Sequence, residues 1–216
     1  MMRRRTLIGQ MLGTAILARR AVAQSKMTPD EAFHALMSGN ERFAANRFTS
    51  IEQDLQILRN HTVDKQEPFA GVLSCADSRV PVELIFDQTI GQIFVTRVAG
   101  NIVSPEIIGS LEYGVVVLGV KVLVVLGHTS CGAVKAAIKG DNVPGQISVL
   151  YQKLHEGVSK AGGDVNKAIE LNATAQADFL RTSSPVIRDA IKAKTLRVES
   201  GVYDLGTGRV RIHQKS

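Results

Sequence analysis

The 216-residue sequence predicts an α/β fold, with a mostly parallel β-sheet flanked by helices and one strand added at its edge. Three short apolar runs are typical of buried parallel strands, and helical patterns alternate with them along the chain. A pair of segments around Asp204-Leu-Gly-Thr-Gly208 predicts a hairpin, and therefore an antiparallel edge. A chain of this length can bury one substantial core, and we expect residues 26–216 to form a single domain.

The first half of this domain mixes helices and strands. Thr28-Pro-Asp-Glu31 predicts a helix start, because threonine caps helix N-termini, proline suits the first turn and acids favour the positive end of the helix dipole. A second helix is expected over residues 52–60. The next elements are expected as a strand over 69–74, a short helical turn over 81–86, a strand over 92–97 and a loop over 99–101.

The second half is richer in helices. Ser104-Pro-Glu106 predicts a helix start, and apolar residues three or four apart then give that helix a broad apolar face. Gly119 and Lys121 interrupt the apolar stretch 115–126, which favours a helix, a turn and a strand over a membrane span. The last elements are expected as a strand from 121 that ends at His128, helices over 131–139, 146–161, 164–182 and 185–193, and hairpin strands over 196–203 and 209–213.

The formal net charge of +6 comes almost entirely from the N-terminus. Five of the 26 basic residues are arginines within the first 25 positions, where there is no acid. The rest of the chain carries 21 basic and 20 acidic side chains and is close to neutral. A nucleic-acid partner therefore has no electrostatic support.

The first 25 residues are typical of an export signal. Consecutive arginines at 3–5 precede a moderately apolar stretch over 7–18, and Ala21-Val-Ala23 is a small-x-small cleavage site. The paired arginines resemble a twin-arginine signal, which predicts a periplasmic protein. The alternative is a basic N-terminal extension that is never removed. The stretch over 7–18 is too short to span a bilayer, so no stable membrane span is expected.

The chain holds two cysteines, and each follows a predicted strand. Cys75 comes directly after the strand at 69–74, and Cys131 lies three residues after His128. Because functional groups of parallel α/β sheets collect at the carboxyl ends of the strands, we expect these three side chains to meet. Two thiols and an imidazole leave one position open on zinc, which is typical of catalytic zinc. A disulfide, the usual pairing in exported proteins, and two unrelated thiols are the alternatives.

Asp77 and Arg79 follow Cys75 by two and four residues. An acid and an arginine on a loop usually form an exposed ion pair of little energetic value. Beside a metal they gain a second role. Two thiolates cancel the charge of Zn²⁺, so bound water is acidified less than at a site with neutral ligands, and an acceptor that orients the nucleophile becomes useful. We expect Asp77 to be that acceptor and Arg79 to hold it ionised.

Together the two motifs resemble those of the β-class carbonic anhydrases. They are Cys75-Ala-Asp-Ser-Arg79 and His128-Thr-Ser-Cys-Gly132. The similarity continues through residues 86–87, 91, 94–101, 110–113 and 201–208, and spans about 28–212. The resemblance implies a four-stranded parallel sheet with an added edge strand. It also implies a homodimer or larger even homo-oligomer in which N-terminal helices cross onto the partner subunit, with active sites at the dimer interface.

The resemblance also implies the zinc ligands and the role of the acid. One Zn²⁺ per chain would be bound by Cys75, His128 and Cys131. Asp77 and Arg79 would form the catalytic dyad, and in an inactive form Asp77 would take the fourth zinc position.

The substrate pocket is implied with one departure from the family pattern. Phe94 and Ala99 would line it, although both residues equally suit the core of the sheet. Some family members place a glutamine before the first motif, and the strand before Cys75 contains none. We therefore expect the backbone N–H of Gly132 to contact the substrate instead.

The function implied is the reversible hydration of carbon dioxide to bicarbonate and a proton. A carbon disulfide or carbonyl sulfide hydrolase would share every ligand, and remains an alternative. A non-catalytic zinc protein is the other alternative, although a structural site is normally closed by a fourth ligand and needs no Asp-Arg pair. A dithiol redox protein would be expected to carry Cys-x-x-Cys, which the sequence lacks.

Overall fold

A computed structural model describes residues 25–49, 63 and 65–213. These residues form a five-stranded sheet in the order β2-β1-β3-β4-β5. The first four strands in this order pair in parallel, and β5 pairs antiparallel with β4, which confirms the predicted sheet. The strands are β1 (Ala70–Ser74), β2 (Ile93–Arg97), β3 (Val122–His128), β4 (Arg197–Tyr203) and β5 (Val210–His213).

The helices begin and end within about two residues of the predicted positions. They are α1 (Pro29–Ala44), α2 (Val82–Ile85), α3 (Pro105–Val116), α4 (Gly132–Lys139), α5 (Ile147–Ala161), α6 (Val165–Ser183) and α7 (Pro185–Lys192). The helix expected over 52–60 and the leader over 1–24 lie outside the described residues. None of the described helices is long and apolar enough to cross a bilayer.

Residues 99–101 differ from the expected loop. They form a short 3₁₀ turn in which Gly100 has φ +76° and Asn101 has φ +45°. Two successive residues in the left-handed region reverse the chain sharply, and glycine adopts this conformation at little cost. The turn carries the chain from the end of β2 back toward the end of β1, where Cys75 lies.

The start of α1 follows the predicted capping pattern. Thr28 accepts a hydrogen bond from the backbone N–H of Glu31, and the Glu31 carboxylate accepts one from the N–H of Thr28. This reciprocal capping box satisfies two donors that the first turn would leave unpaired. Leu36 is fully buried on the inner face of α1, which therefore covers one face of the sheet.

The sheet has helices on both faces, and its central strands are buried throughout. All residues of β1 and β3 are buried. Helices α3, α6 and α7 cover the face opposite α1, where buried side chains such as Leu123 and Leu180 each contribute about 1.5–3 kcal/mol. Because β1 and β3 are neighbours in parallel, their carboxyl ends meet, with Ser74 opposite Leu126. The residues that follow these two strands are therefore brought together.

Candidate metal centre

Three predicted ligands converge at this edge of the sheet. Cys75 directly follows β1, His128 is the last residue of β3, and Cys131 is the N-cap of α4. One ligand atom from each of these buried residues lies within 4.8 Å of the other two. The cysteines form no disulfide. The arrangement is the one expected for a cation held by two sulfur atoms and one imidazole nitrogen.

The imidazole of His128 is oriented for metal binding. Its Nδ1 atom lies 3.0 Å from the carbonyl oxygen of Thr129, which can only accept, so Nδ1 carries the proton. The Nε2 atom is then left with a free lone pair, and it is buried with no hydrogen-bond partner among the described residues. A buried unsatisfied polar atom costs about 1–3 kcal/mol. The donor set of Nε2 and two sulfur atoms fits Zn²⁺, which would supply the missing partner.

The two thiols favour a single negative charge between them. A hydrogen bond from Cys131 lowers the pKa of Cys75, and that same contact, with burial, raises the pKa of Cys131. In the absence of a cation, one thiol of the pair therefore retains its proton. A divalent cation would displace that proton, because the metal binds the thiolate form of both residues.

Asp77 and Arg79 form a bidentate ion pair beside this cluster. The Arg79 side chain donates to both carboxylate oxygens of Asp77, at 2.9 and 2.8 Å, and its backbone N–H donates to Oδ1 at 2.9 Å. The hydrogen bond from the Arg79 side chain holds the pKa of the Asp77 carboxyl well below its usual range. Asp77 Oδ2 lies 3.8 Å from Nε2 of His128, so an ionised carboxylate borders the cluster.

Arg97 is a further contributor that the motif analysis did not identify. It ends β2 opposite Ser74, and its Nε atom donates to the carbonyl oxygen of Cys75 at 2.9 Å. Its Nη2 atom donates to the carbonyl oxygen of Asp77 at 2.5 Å. A polar residue at the end of the strand next to β1 is the one sequence signal that could have indicated this contact. Arg97 thus fixes the backbone of this loop, whereas Arg79 fixes the Asp77 carboxylate within it.

The three expected pocket residues lie in different surroundings. Ala99 begins the 3₁₀ turn, and the next residue, Gly100, donates its N–H to the Cys75 sulfur at 3.3 Å. Gly132 directly follows Cys131, and apart from its chain neighbours and the backbone of its own helix no atom of the described residues lies within 4 Å of where a Cβ on it would stand. Gly132 is therefore next to a residue of the metal cluster, and Ala99 is next to the residue that bonds the sulfur of Cys75.

Phe94 does not lie at the carboxyl end of its strand, where the metal cluster is found. It lies opposite Gly71 in the strand register, three residues before Arg97, which is opposite Ser74. Its ring centroid lies 6.3 Å from that of Tyr113, and its side chain packs against α3 as part of the core. Successive side chains of a strand point to opposite faces, so Phe94 faces α3.

Proteins of known identity resemble this chain in sequence and structure. Residues 70–210 match the family model described as carbonic anhydrase. A carbonic anhydrase of Mycolicibacterium smegmatis is 36% identical over 194 residues, covering 85% of this chain and 93% of the relative. A structure from a study of two tetrameric β-carbonic anhydrases of Sordaria macrospora has a TM-score of 0.68 and 27% identity, covering 85% of this chain and 97% of that one. A carbon disulfide hydrolase shares the fold, with a TM-score of 0.50 and 22% identity over 74% of this chain and 84% of that one.

Proposed function

We propose a zinc-dependent mechanism for this chain, which belongs to the β-class carbonic anhydrases and hydrates carbon dioxide reversibly to bicarbonate and a proton. The ligands proposed for one Zn²⁺ per chain are Cys75, His128 and Cys131. The observation that carries the proposal is the convergence of their ligand atoms within 4.8 Å, with the lone pair of His128 Nε2 left without a hydrogen-bond partner in the described part of the chain. Three protein ligands leave a fourth position on zinc for the reaction.

Zinc, when bound, supplies a water molecule acidic enough to lose a proton near neutral pH. The Asp77 carboxylate then orients the nucleophile, because an ionised carboxylate accepts hydrogen bonds and donates none. It would hold the remaining proton of the nucleophile and leave a lone pair directed at carbon dioxide. Arg79 keeps Asp77 ionised and fixes the carboxylate plane through its two parallel hydrogen bonds.

The position of Asp77 also supports the proposal of a closed form of the site. With Oδ2 only 3.8 Å from His128 Nε2, a small rotation would let the carboxylate become the fourth ligand. We propose that this closed form is inactive and that acidification favours it, because protons remove the hydroxide that competes with Asp77. X-ray absorption spectra of the zinc protein at low and high pH test this proposal. An unchanged set of zinc ligands would contradict it.

Substrate specificity can be tested with carbon dioxide, carbon disulfide and carbonyl sulfide supplied to the same zinc-loaded protein. We expect rapid hydration of carbon dioxide and little hydrolysis of the two sulfur compounds, because the carbonic anhydrase relative is 36% identical whereas the carbon disulfide hydrolase shares only the fold. Preferred hydrolysis of either sulfur compound would contradict this assignment. A zinc-loaded protein that turns over none of the three would instead support a non-catalytic role.

We also propose that the chain assembles as a homodimer or larger even oligomer. Tyr113 and Val116 on α3 and Val117 directly after it are 48%, 52% and 41% exposed, and the neighbouring strand β2 is an edge of the sheet. Exposed apolar residues beside an unpaired strand edge favour contact with a second copy. Light scattering of the parent and of Val116→Glu tests this proposal. A monomeric parent would contradict it, whereas dissociation caused by Val116→Glu would support it.

For residues 1–25 we retain the proposal of a twin-arginine export signal. This pathway carries folded proteins, so zinc bound in the cytoplasm would keep both thiols from oxidation during export. Replacing Arg4 and Arg5 by Lys should leave active enzyme in the cytoplasm, as measured by cell fractionation. Continued arrival in the periplasm, or a mature protein that begins at Met1, would contradict this proposal.

A further inference from the structure

Helix α6 carries two buried amide side chains one turn apart. Asn172 is 1% exposed and Gln176 is 6% exposed. Burying an amide costs free energy unless its hydrogen bonds are satisfied inside the protein. Both residues face the turn at 99–101 and the segment after it, and neither belongs to the motifs that carry the metal ligands.

Hydrogen bonds connect these amides to that turn. Asn172 donates from Nδ2 to the carbonyl oxygen of Gly100 at 2.9 Å. Gln176 donates from Nε2 to Oδ1 of Asn172 at 3.2 Å and to the carbonyl oxygen of Lys153 at 3.0 Å. Its Oε1 atom accepts the backbone N–H of Val103 at 2.8 Å. Gln176 therefore orients the Asn172 amide so that its NH₂ group points at the turn.

The carbonyl of Gly100 in this turn needs a hydrogen-bond donor. Gly100 has φ +76°, and the turn is closed by a hydrogen bond of 2.9 Å from the N–H of Asn101 to the carbonyl oxygen of Val98, whereas the Gly100 carbonyl is paired from outside the turn. Gly100 is buried, and among the described residues Asn172 supplies the hydrogen bond to its carbonyl oxygen, which an apolar side chain at 172 would leave unpaired. On the other side of the same Cα atom, the N–H of Gly100 donates to the sulfur of Cys75 at 3.3 Å. The N–H and the carbonyl of Gly100 are separated only by rotation about its N–Cα and Cα–C bonds, so holding the carbonyl also restrains the N–H.

Helix α5 leaves room for this arrangement. A Cβ atom added to Gly157 would come within 2.8 to 3.0 Å of the backbone and Cβ of Asn172. Such distances require the two helices to separate. The close approach of α5 and α6 at this point keeps Asn172 within hydrogen-bonding distance of Gly100.

We propose that Asn172, oriented by Gln176, is a positioning residue of the metal centre: it fixes the 99–101 turn so that the Gly100 N–H remains directed at the sulfur of Cys75. A hydrogen bond to a thiolate ligand stabilises its negative charge and fixes its direction. Partners of this kind, which contact the ligands rather than the metal, typically change metal affinity by about 10–100-fold. The inference rests on the proposed zinc site.

The test uses three variants of the full chain. Asn172→Leu keeps the branching and the number of side-chain heavy atoms and removes the donor to Gly100. Gln176→Met leaves Asn172 in place and removes the groups that orient it. Thr174→Val is the matched control, because Thr174 lies on the same helix and bonds instead to the hydroxyl of Ser200, 3.4 Å away.

Two measurements separate positioning from general stability. Zinc affinity is measured by chelator competition, and the thiolate-to-cobalt charge-transfer bands are recorded after cobalt substitution. We expect about 10–100-fold weaker zinc binding and shifted bands for Asn172→Leu. Gln176→Met should show smaller changes in the same direction. Thr174→Val should match the parent in both, whatever its thermal stability.

Parental zinc affinity and parental cobalt bands in a folded Asn172→Leu protein would overturn the inference, even if its melting temperature fell. If Asn172→Leu does not fold, Gln176→Met decides by the same two criteria. A parent protein that itself fails to bind zinc tightly would contradict the proposed zinc site instead. The two failures are therefore distinguishable.

Discussion

Two segments deliver the proposed zinc ligands, and the chain holds them in different ways. Residues 75–79 after β1 are fixed mainly by groups from elsewhere: Arg97 bonds two of their carbonyls, and the Gly100 N–H bonds the Cys75 sulfur. Residues 128–131 after β3 are fixed mainly by backbone. The N–H of Thr129 bonds the carbonyl of Tyr203 at 2.9 Å, and the carbonyl of Cys131 begins the hydrogen bonding of α4.

This difference indicates where each segment is vulnerable. Side-chain donors can be removed by single substitutions at distant positions, whereas backbone hydrogen bonds persist through most substitutions. The first segment therefore depends on residues outside its motif, and the second depends mostly on its own fold. Beyond the contact of Cys131 with Cys75 and the approach of Asp77 to His128, the two segments are linked by a hydrogen bond of 3.4 Å from Arg79 to the carbonyl of Ser130.

The largest expected effect is the same for both segments. Replacing Cys75, His128 or Cys131 by Ala should abolish zinc retention and carbon dioxide hydration together, because two ligands do not complete a zinc site. Metal analysis and stopped-flow rates check this prediction. Ser78→Ala is the control, since Ser78 is exposed in the same loop. Full zinc occupancy in any of the three ligand variants would show that this residue is not a ligand.

The next effect is confined to the first segment. Asp77→Asn and Arg79→Ala should retain zinc while kcat falls by about 10²–10⁴-fold, because each removes the oriented, ionised acceptor. The asparagine keeps the shape of Asp77 but offers an NH₂ donor where an acceptor is needed. Wild-type turnover by both variants would remove the pair from the mechanism.

A third test directly compares the hydrogen bonds that hold the two segments in place. Arg97→Ala should weaken zinc binding by about 10–100-fold, because the carbonyls of Cys75 and Asp77 lose a shared donor. Arg97→Lys should restore little of the zinc affinity, because an ammonium group lacks the planar guanidinium that donates to both carbonyls. Zinc affinities from chelator competition provide the measurement.

The counterpart in the second segment is Thr129→Val. It removes the hydroxyl that accepts the N–H of Leu205 at 3.0 Å, but keeps the backbone bond to Tyr203. We expect about 0.5–1.5 kcal/mol of lost stability, measured by denaturant unfolding, and nearly parental zinc affinity. A loss of zinc affinity equal to that of Arg97→Ala would show that the two segments do not differ.

The smallest effect concerns the stability of the metal-free protein at low pH. The folded pKa of Asp77 is depressed by Arg79, so the pair stabilises the fold above the unfolded pKa of about 3.9. This contribution is lost as the pH falls through the folded value. The stability difference between the parent and Asp77→Asn should therefore disappear in strong acid, as followed by circular dichroism. A difference that persists there would exclude an ionised Asp77 as its cause.

The sequence predicts one part of the site much better than the other. The ligand residues and the Asp77–Arg79 pair follow the carboxyl ends of two predicted parallel strands, and that position indicates that they meet. Arg97 is 22 residues from Cys75, and Asn172 is 72 residues from Gly100, so their contacts depend on the packed fold. A polar residue within a helix pattern is ordinarily assigned to solvent, which is why the buried amides of α6 give no sequence signal.

The fold itself was predicted closely because its signals are local. Helix caps at Thr28 and Ser104 fix where α1 and α3 begin, and the apolar runs coincide with the buried strands. The resemblance implies a pocket role for Phe94, which equally suits the core of the sheet, and in the single chain its side chain packs against α3. The pocket role stays a prediction. Alternation along β2 determines that placement, and the motif containing Phe94 does not reveal which face of the strand it occupies.

The central claim is that catalysis depends on one zinc ion per chain, and reversible metal removal tests it most directly. Zinc is stripped from the purified protein with a chelator and returned in measured amounts while carbon dioxide hydration is followed. We predict that activity disappears with the metal and returns in proportion to added zinc, reaching its maximum at one equivalent per chain. Full activity in the zinc-free protein, or a zinc-saturated protein that does not hydrate carbon dioxide, would contradict the account.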